Sequence, residues 1–248
     1  MKKHELEVYG ITDVGTVKKV NEDGFVYKVV DAGECYSGIF AIADGVGGLS
    51  KGEIASSIAI SNINKWWENE FKTHYNDKDY LVHTLLENIK TTNNEISNYA
   101  LANGIRMATT LTILFIYKDE GIIVNIGDSR VYCYSNGIFK SNLVQLTVDH
   151  SCVVQKEIDG KMVDKSFLTE WLGNKPIINY FTTIVPIHKG DIFILCSDGI
   201  YKTMKNSSLL SVIKAKKNNL QQLCSELINS VKLKKETDNI SVITVRIK

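Results

Sequence analysis

Apolar, strand-like segments that end in an aspartate are the feature that most constrains how this chain can fold. In the first of them, residues 38–43 lead to Asp44, and a glycine-rich turn then opens a segment with helical spacing of apolar residues. A carboxylate beside a strand core is costly to bury unless it is paired or bound to a metal ion. The glycines after Asp44 allow backbone to come close to whatever that carboxylate holds. Taken alone, however, an Asp-Gly pair indicates only a turn.

The same arrangement recurs further along the chain, and this repetition favours a shared site over a set of turns. Asp128 and Asp198 each follow an apolar run, whereas Asp238 comes directly before one. If these strand ends meet, repulsion among the carboxylates raises the pKa of some of them or requires cations. Mg²⁺ and Mn²⁺ prefer oxygen ligands such as carboxylates and backbone carbonyls, and the Gly45 carbonyl could supply one more. A zinc site is disfavoured, because the five histidines show no zinc-ligand spacing.

The composition bounds the class of protein. At 248 residues the chain is long enough for one sizeable core, so residues 1–248 are predicted to form a single domain. The net charge of +1 gives no overall attraction to nucleic acid or to an anionic membrane, and neither is expected as a partner. Five cysteines without a C-x-x-C pair, and no apolar leader or membrane-spanning run, predict a cytoplasmic protein with reduced, buried thiols. A monomer is expected.

Groups of predicted strands alternate with groups of predicted helices. Short connections between strands favour antiparallel hairpins over parallel β-α-β units, and the order favours packed sheets with helices outside them. The least regular part, residues 147–175, is either a flap beside a site or a surface excursion. The predicted strands are 6–11, 24–30, 109–117, 121–126, 131–134, 138–146, 177–185, 191–196 and a last one to 247, and the predicted helices are 53–71, 81–101, 207–215 and 220–231.

Six short motifs occur in a recognisable order along the chain: Val17-Lys18-Lys19-Val20-Asn21-Glu22-Asp23, Asp44-Gly45-Val46-Gly47-Gly48, Gly127-Asp128-Ser129-Arg130, Leu146-Thr147-Val148-Asp149-His150-Ser151, Ser197-Asp198-Gly199 and Asp238-Asn239. Each motif alone is weak, but together they resemble the metal-dependent protein phosphatases of the PP2C type, particularly the compact bacterial ones. The resemblance covers essentially the whole chain. It implies an α+β fold, a four-layer αββα sandwich of two mainly antiparallel β-sheets flanked by helices.

The resemblance also implies an activity and a site. The activity is metal-dependent hydrolysis of phosphoserine and phosphothreonine in proteins, by a water activated at a binuclear Mn²⁺ or Mg²⁺ site with a weaker third ion beside it. The implied substrates are proteins phosphorylated by a serine/threonine kinase. The implied roles are Asp44 as the acid that bridges both metal ions, Gly45 as a carbonyl ligand, Asp198 and Asp238 as further ligands, Asp128 as a holder of the third ion, Asp23 as the acid that orients the attacking water, and Glu22 and Asn239 as supporting residues around them.

Two departures from the family pattern bear on the chemistry. Lys18 stands where the family usually has a phosphate-binding arginine, and lysine attracts phosphate as a point charge without the arginine fork. Lys18→Ala is therefore predicted to raise KM mainly. Val46 and Leu49 stand where relatives have histidines, so a water held by the metal site near Asp128 is the predicted source of the leaving-group proton. Asp128→Ala is predicted to lower kcat at saturating metal.

Two other functions stay open from the sequence. A non-catalytic pseudophosphatase would keep the fold and bind a phosphorylated partner, but such a module is expected to lose metal-binding acids, and Asp44, Asp198 and Asp238 are all present. A metal-dependent hydrolase of small phosphorylated metabolites is the second alternative. Turnover of a phosphopeptide, compared with turnover of a small phosphoester, separates these possibilities.

Overall fold

The computed structural model describes residues 5–31, 36–46, 51–136, 141–158, 161–173 and 177–248. Every strand pairing in these ranges is antiparallel, as expected from the short connections. The strands are β1 (Leu6–Asp13), β2 (Asp23–Asp31), β3 (Tyr36–Asp44), β4 (Leu111–Tyr117), β5 (Glu120–Ile126), β6 (Arg130–Asn136), β7 (Ser141–Gln145), β8 (Ser151–Ile158), β9 (Lys161–Leu168), β10 (Phe181–Pro186), β11 (Ile192–Cys196) and β12 (Ile240–Ile247).

Two long amphipathic segments and the C-terminal region supply the helices. The first helix continues through a wider π-helical turn, Trp67–Phe71, in which both aromatic side chains are buried. The α-helices are α1 (Gly52–Trp66), α2 (Lys72–His74), α3 (Lys78–Ala102), α4 (Asp198–Tyr201), α5 (Asn206–Lys216) and α6 (Leu220–Leu233). No helix in these described ranges is both long and apolar enough to cross a membrane.

The elements stack in four layers, which confirms the αββα sandwich. One sheet has the strand order β1-β12-β11-β6-β7, and the other has the order β10-β5-β4-β3-β2. Side chains such as Phe40, Phe193 and Val245 fill the space between the sheets. Helices α1 and α3 cover the outer face of the β3 sheet, and α5 and α6 cover the outer face of the β12 sheet. Strands buried on both faces explain the continuous apolar runs of the sequence.

The strand register brings the predicted acids to one end of the paired sheets. In the β2–β3 pair, Asp23 lies directly opposite Asp44. In the other sheet, Cys196 pairs with Val242, so the end of β11 lies beside the start of β12. Asp198 and Asp238 therefore come from neighbouring strand ends, and Asp128 lies in the crossing from one sheet to the other.

Three expectations about secondary structure were wrong in detail. The segment expected to be irregular contains the hairpin β8–β9, whose largely exposed strands lack the continuous apolar runs of core strands. Strand β10 begins only at Phe181, and helix α4 was not foreseen. Cys152 on β8 is exposed rather than buried, whereas Cys196 and Cys224 are buried as expected, and Cys35 lies outside the described residues.

Candidate active site

Asp44 is held by backbone hydrogen bonds at the end of β3. Its amide donates to Thr110 Oγ1 at 2.9 Å, and its carbonyl accepts from Thr110 N at 2.8 Å and from Thr109 Oγ1 at 3.0 Å. These bonds continue the β3–β4 ladder beyond the last paired residues of the two strands. The Asp44 carboxylate is therefore carried by a rigid part of the sheet, as a site residue requires.

Gly45 occupies a position in which no side chain fits. A Cβ at Gly45 would lie 2.6 Å from the Gly52 carbonyl carbon and 2.8 Å from the Glu22 carbonyl oxygen. The Gly45 amide donates to that Glu22 oxygen at 3.1 Å. Glu22 thus supports the site through its backbone, while its side chain lies 3.5 Å from the ammonium nitrogen of Lys18. Close approach of two chain segments explains the glycine after Asp44.

Asp23 is buried beneath the site and only half satisfied. Its Oδ2 accepts hydrogen bonds from Ser197 Oγ at 2.9 Å and Ser241 Oγ at 2.7 Å. Its Oδ1 is buried and accepts no hydrogen bond from the described residues. Burial raises the pKa of Asp23 to about 6, and the charge of Asp238 adds to that rise, whereas the bonds from Ser241 and Ser197 and the neighbouring Asp44 carboxyl oppose it. A buried acceptor without a protein donor suits a bound water or a ligand.

Burial and mutual repulsion also act on the other acids. Burial, followed by the charges of the neighbouring aspartates, raises the pKa of Asp44 well above its ordinary value. Burial raises the pKa of Asp198 to about 7, although the nearby Lys202 ammonium group lowers it and Asp128 raises it further. Buried carboxylates that repel one another share a site only if protons or cations offset the charge.

Asp198 begins the short helix α4, and Lys202 one turn later turns back to the same acid. The Lys202 ammonium group bonds to Asp198 Oδ2 and lies 3.7 Å from Asp128 Oδ2. Gly199 allows α4 to sit against the last loop, because a Cβ there would lie 2.3 Å from the carbonyl oxygen of Asn239. Burial opposes the charge on Lys202, but Asp198 and Asp128 raise the pKa of its ammonium group.

The loop that carries Asp128 is fixed by its neighbours. Gly127 has φ of +105°, and a Cβ there would lie 2.5 Å from a side-chain carbon of Thr110. His150 brackets this turn, since its amide donates to the Gly127 carbonyl and its Nδ1 accepts from the Gly127 amide. His150 is thus a structural residue, as expected. Arg130 Nε and Nη2 bind Asp149 at 2.6–3.0 Å, and the Arg130 guanidinium lies 3.4 Å above the Tyr201 ring of α4.

Asp238 lies at the rim of the site, where its side chain is 43% exposed. Its Oδ1 accepts from the Asn239 amide at 2.9 Å and lies 3.1 Å from Lys18 Nζ. Asn239 is buried and ties the loop before β2 to the start of β12, because its side chain accepts from Glu22 N and donates to the carbonyls of Val14 and Val20. Burial opposes the charge on Lys18, but the bonds to Asp238 and Glu22 raise the pKa of its ammonium group.

A cavity of about 450 Å³ joins Asp44, Asp128, Asp198 and Asp238 to the β8–β9 hairpin, whereas Asp23 does not line it. The hairpin therefore lies beside the site, which agrees with the flap rather than with a surface excursion away from the site. Val46 lines the cavity, whereas Leu49 lies outside the described residues. Sequence reasoning missed Lys202, and it also missed the aromatic residues Phe167 and Trp171 on the hairpin side of the cavity. The lining residues are Asp44, Val46, Thr110, Asp128, Lys165, Ser166, Phe167, Leu168, Trp171, Asp198, Lys202 and Asp238.

The chemistry of these donors fits Mg²⁺ or Mn²⁺. Carboxylates predominate, Asp23 offers a buried acceptor without a donor, and backbone packs closely around Gly45. In the described part of the chain, no three acidic, histidine or cysteine side chains stand close enough to form a complete metal cage. Lys18 and Lys202 form ion pairs with Asp238 and Asp198 instead.

Comparison with known proteins identifies the family. The family model for protein phosphatase 2C matches residues 16–231. The serine/threonine phosphatase stp of Listeria innocua is 30% identical over 247 residues, which cover 94% of this chain and 93% of that protein. Protein phosphatase PhpP of Streptococcus pneumoniae is 28% identical over 219 residues, 84% of each chain.

Solved structures share the fold. The S. agalactiae serine/threonine phosphatase matches with a TM-score of 0.82 at 22% identity, over 98% of this chain and 100% of that one. The Mycobacterium tuberculosis phosphatase PstP/Ppp matches with a TM-score of 0.77 at 21% identity, over 98% and 99%. With a family model over most of its length and a relative at 30% identity, the chain belongs to the protein phosphatase 2C family and is a protein phosphatase.

Proposed function

We propose that this protein hydrolyses phosphoserine and phosphothreonine in phosphoproteins, and that its reaction takes place in the cavity between the acid cluster and the β8–β9 hairpin. The observation that carries this proposal is the meeting of Asp44, Asp128, Asp198 and Asp238 at one cavity in a chain of this family. The relative from Listeria is named a serine/threonine phosphatase, and the relative from Streptococcus is named a protein phosphatase. The substrates would be the products of a serine/threonine kinase.

The proposed metal ligands are the carboxylates of Asp44, Asp198 and Asp238 together with the Gly45 carbonyl. Asp44 is the acid that would bridge two Mn²⁺ or Mg²⁺ ions. When bound, such ions would lower the pKa of a water between them and neutralise charge on the transferring phosphoryl group. The raised pKa of Asp44 and the pKa of Asp198 at about 7 support this role, because both acids lack full compensation within the chain.

Asp23 is proposed to orient the attacking water. Its Oδ2 is held by Ser197 and Ser241, so its Oδ1 has a fixed direction and can accept a hydrogen bond from that water. A residue held in this way lowers the entropy cost of placing the nucleophile. Glu22 and Asn239 are proposed to hold the backbone around Asp23 and Gly45 in place, because Glu22 N donates to Asn239 Oδ1 and Glu22 O accepts from Gly45 N.

Lys18 is proposed to attract the substrate phosphate at the rim. Its ammonium group lies 3.1 Å from Asp238 Oδ1, next to a cavity residue, so a phosphate approaching Asp238 would pass within its field. The apolar Val46 cannot donate a proton to the leaving alkoxide, and a water near Asp128 is the proposed donor. We also propose that residues 1–248 form a single domain, since the two sheets share one inner core, and that the protein is a monomer.

The test is hydrolysis of a phosphothreonine peptide with and without Mn²⁺. Wild type is expected to turn over only with metal, and Asp198→Asn is expected to lose that turnover. Asp79→Asn makes the same chemical change at an exposed position on α3 and is expected to behave as wild type. Absence of wild-type turnover at every metal concentration would reject the proposal in favour of a pseudophosphatase. Faster turnover of a small phosphoester than of the peptide would instead favour a metabolite hydrolase.

A further inference from the structure

The acid cluster contains a cation that belongs to the chain itself. Lys202 lines the cavity together with Asp128 and Asp198. Its ammonium group bonds to Asp198 Oδ2 and lies 3.7 Å from Asp128 Oδ2, so one positive charge faces both carboxylates. The Lys202 side chain as a whole is half-exposed, whereas both acids are buried. Its contacts with Asp198 and Asp128 place the ammonium end inside the site.

The direction of Lys202 follows from the packing of α4. Positions 198 and 202 are one helical turn apart and share a face, and the Lys202 amide donates to the Asp198 carbonyl at 3.0 Å. Ile200 and Met204 are buried in the core, and the Arg130 guanidinium stacks on the ring of Tyr201. With the other faces of the turn occupied, Lys202 points to the acids.

A divalent ion between Asp128 and Asp198 would meet this ammonium group at close range. Two cations a few ångströms apart repel each other, and both would need the same carboxylate oxygens. Lysine is also covalently attached, so it does not leave when the free metal concentration falls. The position between Asp128 and Asp198 is thus already compensated, whereas Asp44 has no basic partner among the described residues.

We infer that Lys202 is a tethered cation that takes the position between Asp128 and Asp198, and that it confines divalent ions to the Asp44 and Asp238 side of the cluster. This inference rests on the proposed metal site. It replaces the weaker third ion, expected beside Asp128 from the resemblance, with an ammonium group of this chain. Lys202 is a positioning residue in this arrangement, because it orients Asp198 and sets the number of ions.

Mn²⁺ binding by the intact protein tests the inference without reference to activity. Isothermal titration calorimetry, with free Mn²⁺ followed by electron paramagnetic resonance, gives the number of ions per chain. Lys202→Met is expected to bind one more Mn²⁺ than wild type. Lys202→Arg keeps the charge and is expected to bind the wild-type number. Lys214→Met removes an exposed lysine of α5 and serves as the matched control.

Two further variants locate the additional ion. The double variant Lys202→Met with Asp128→Asn is expected to lose the extra Mn²⁺. Asp128→Asn alone is expected to bind the wild-type number of Mn²⁺ ions. This measurement tests the inference even if Lys202→Met fails to fold. An unchanged isotherm for folded Lys202→Met, or loss of one ion in Asp128→Asn alone, overturns the inference while leaving the proposed function intact. Wild-type protein that binds no Mn²⁺ rejects the proposed metal site and the inference together.

Discussion

The two sides of the acid cluster compensate their buried negative charge in different ways. On the β2–β3 side, Asp23 and Asp44 face each other across a strand pair, and neither forms an ion pair with a basic side chain of the described ranges. On the α4 side, Asp128 and Asp198 share the ammonium group of Lys202. The first side therefore depends on protons or external cations, whereas the second carries its own positive charge. The comparison indicates where a metal ion is most needed.

The pKa values agree with this division only in part. Burial, with a further contribution from the charge of Asp238, raises the pKa of Asp23 to about 6, and the bonds from Ser241 and Ser197 do not offset this rise. Asp198, at a pKa of about 7, is raised as well, even though it has Lys202 as a partner. One ammonium group shared by two buried carboxylates leaves a net negative charge. Metal binding at Asp198 is therefore compatible with an ion pair to its other oxygen.

The largest effect is expected from Asp44→Asn, which removes the central acid of the side without a lysine. Activity should fall by more than about a hundredfold, since even residues around metal ligands cost 10–100-fold when they are changed. Without metal, the same variant should unfold at a higher temperature than wild type, because it removes a buried and uncompensated charge. Peptide hydrolysis and thermal unfolding in a chelator measure the two effects. Asp79→Asn should change neither, and retained activity in Asp44→Asn would contradict the assignment.

The stability of the metal-free protein should depend on pH through the same side. The folded pKa of Asp23, about 6, lies above its unfolded value of 3.8, so the native state holds the extra proton between these values. Stability is therefore expected to fall as pH rises from about 4 to 6, by roughly 3 kcal/mol for this group alone. Urea unfolding across this range, with a chelator present, measures the slope. Asp23→Asn should make the slope shallower without removing it, because the raised pKa values of Asp44 and Asp198 act in the same direction. An equally steep slope in that variant would show that Asp23 does not contribute.

A smaller effect is expected at the rim, where Lys18 is half-buried against Asp238. Lys18→Ala should raise KM for a phosphopeptide about tenfold, equivalent to ~1.4 kcal/mol, with little change in kcat. The loss would be uniform because a point charge attracts phosphate in the ground state and in the transition state alike. Lys19→Ala removes the adjacent, exposed lysine and is the matched control. An unchanged KM in Lys18→Ala would remove Lys18 from the phosphate site.

The sequence predicted the acids on both sides of the cluster, but it did not predict the lysine between Asp128 and Asp198. Asp44 and Asp198 were recognisable because long apolar runs deliver them to strand ends, and such runs are visible in one dimension. Lys202 was missed because its role depends on α4, a helix too short to show a period, although Asp198 and Lys202 have the i, i+4 spacing of a helical ion pair.

Contacts between distant parts of the chain were beyond sequence reasoning as well. The bond between Lys18 and Asp238 joins residues from opposite ends of the chain, and no local pattern predicts it. The β8–β9 hairpin was also hidden, because exposed strands of a flap do not carry the buried face that makes a strand recognisable.

The smallest expected effect tests whether Asp128 and Lys202 act as one unit. Asp128→Ala should lower kcat by a few-fold at saturating Mn²⁺, since it disturbs the proposed proton donor and frees Lys202 on one side. Adding Lys202→Met to this variant should cause little further loss of kcat, because the effects of substituting two partners in one ion-pair network do not add. Losses that simply multiply would show that the two residues act independently, and a normal kcat in Asp128→Ala would leave the leaving-group proton without a source on the α4 side. Asp79→Ala, on the remote helix α3, controls for the removal of a carboxylate as such.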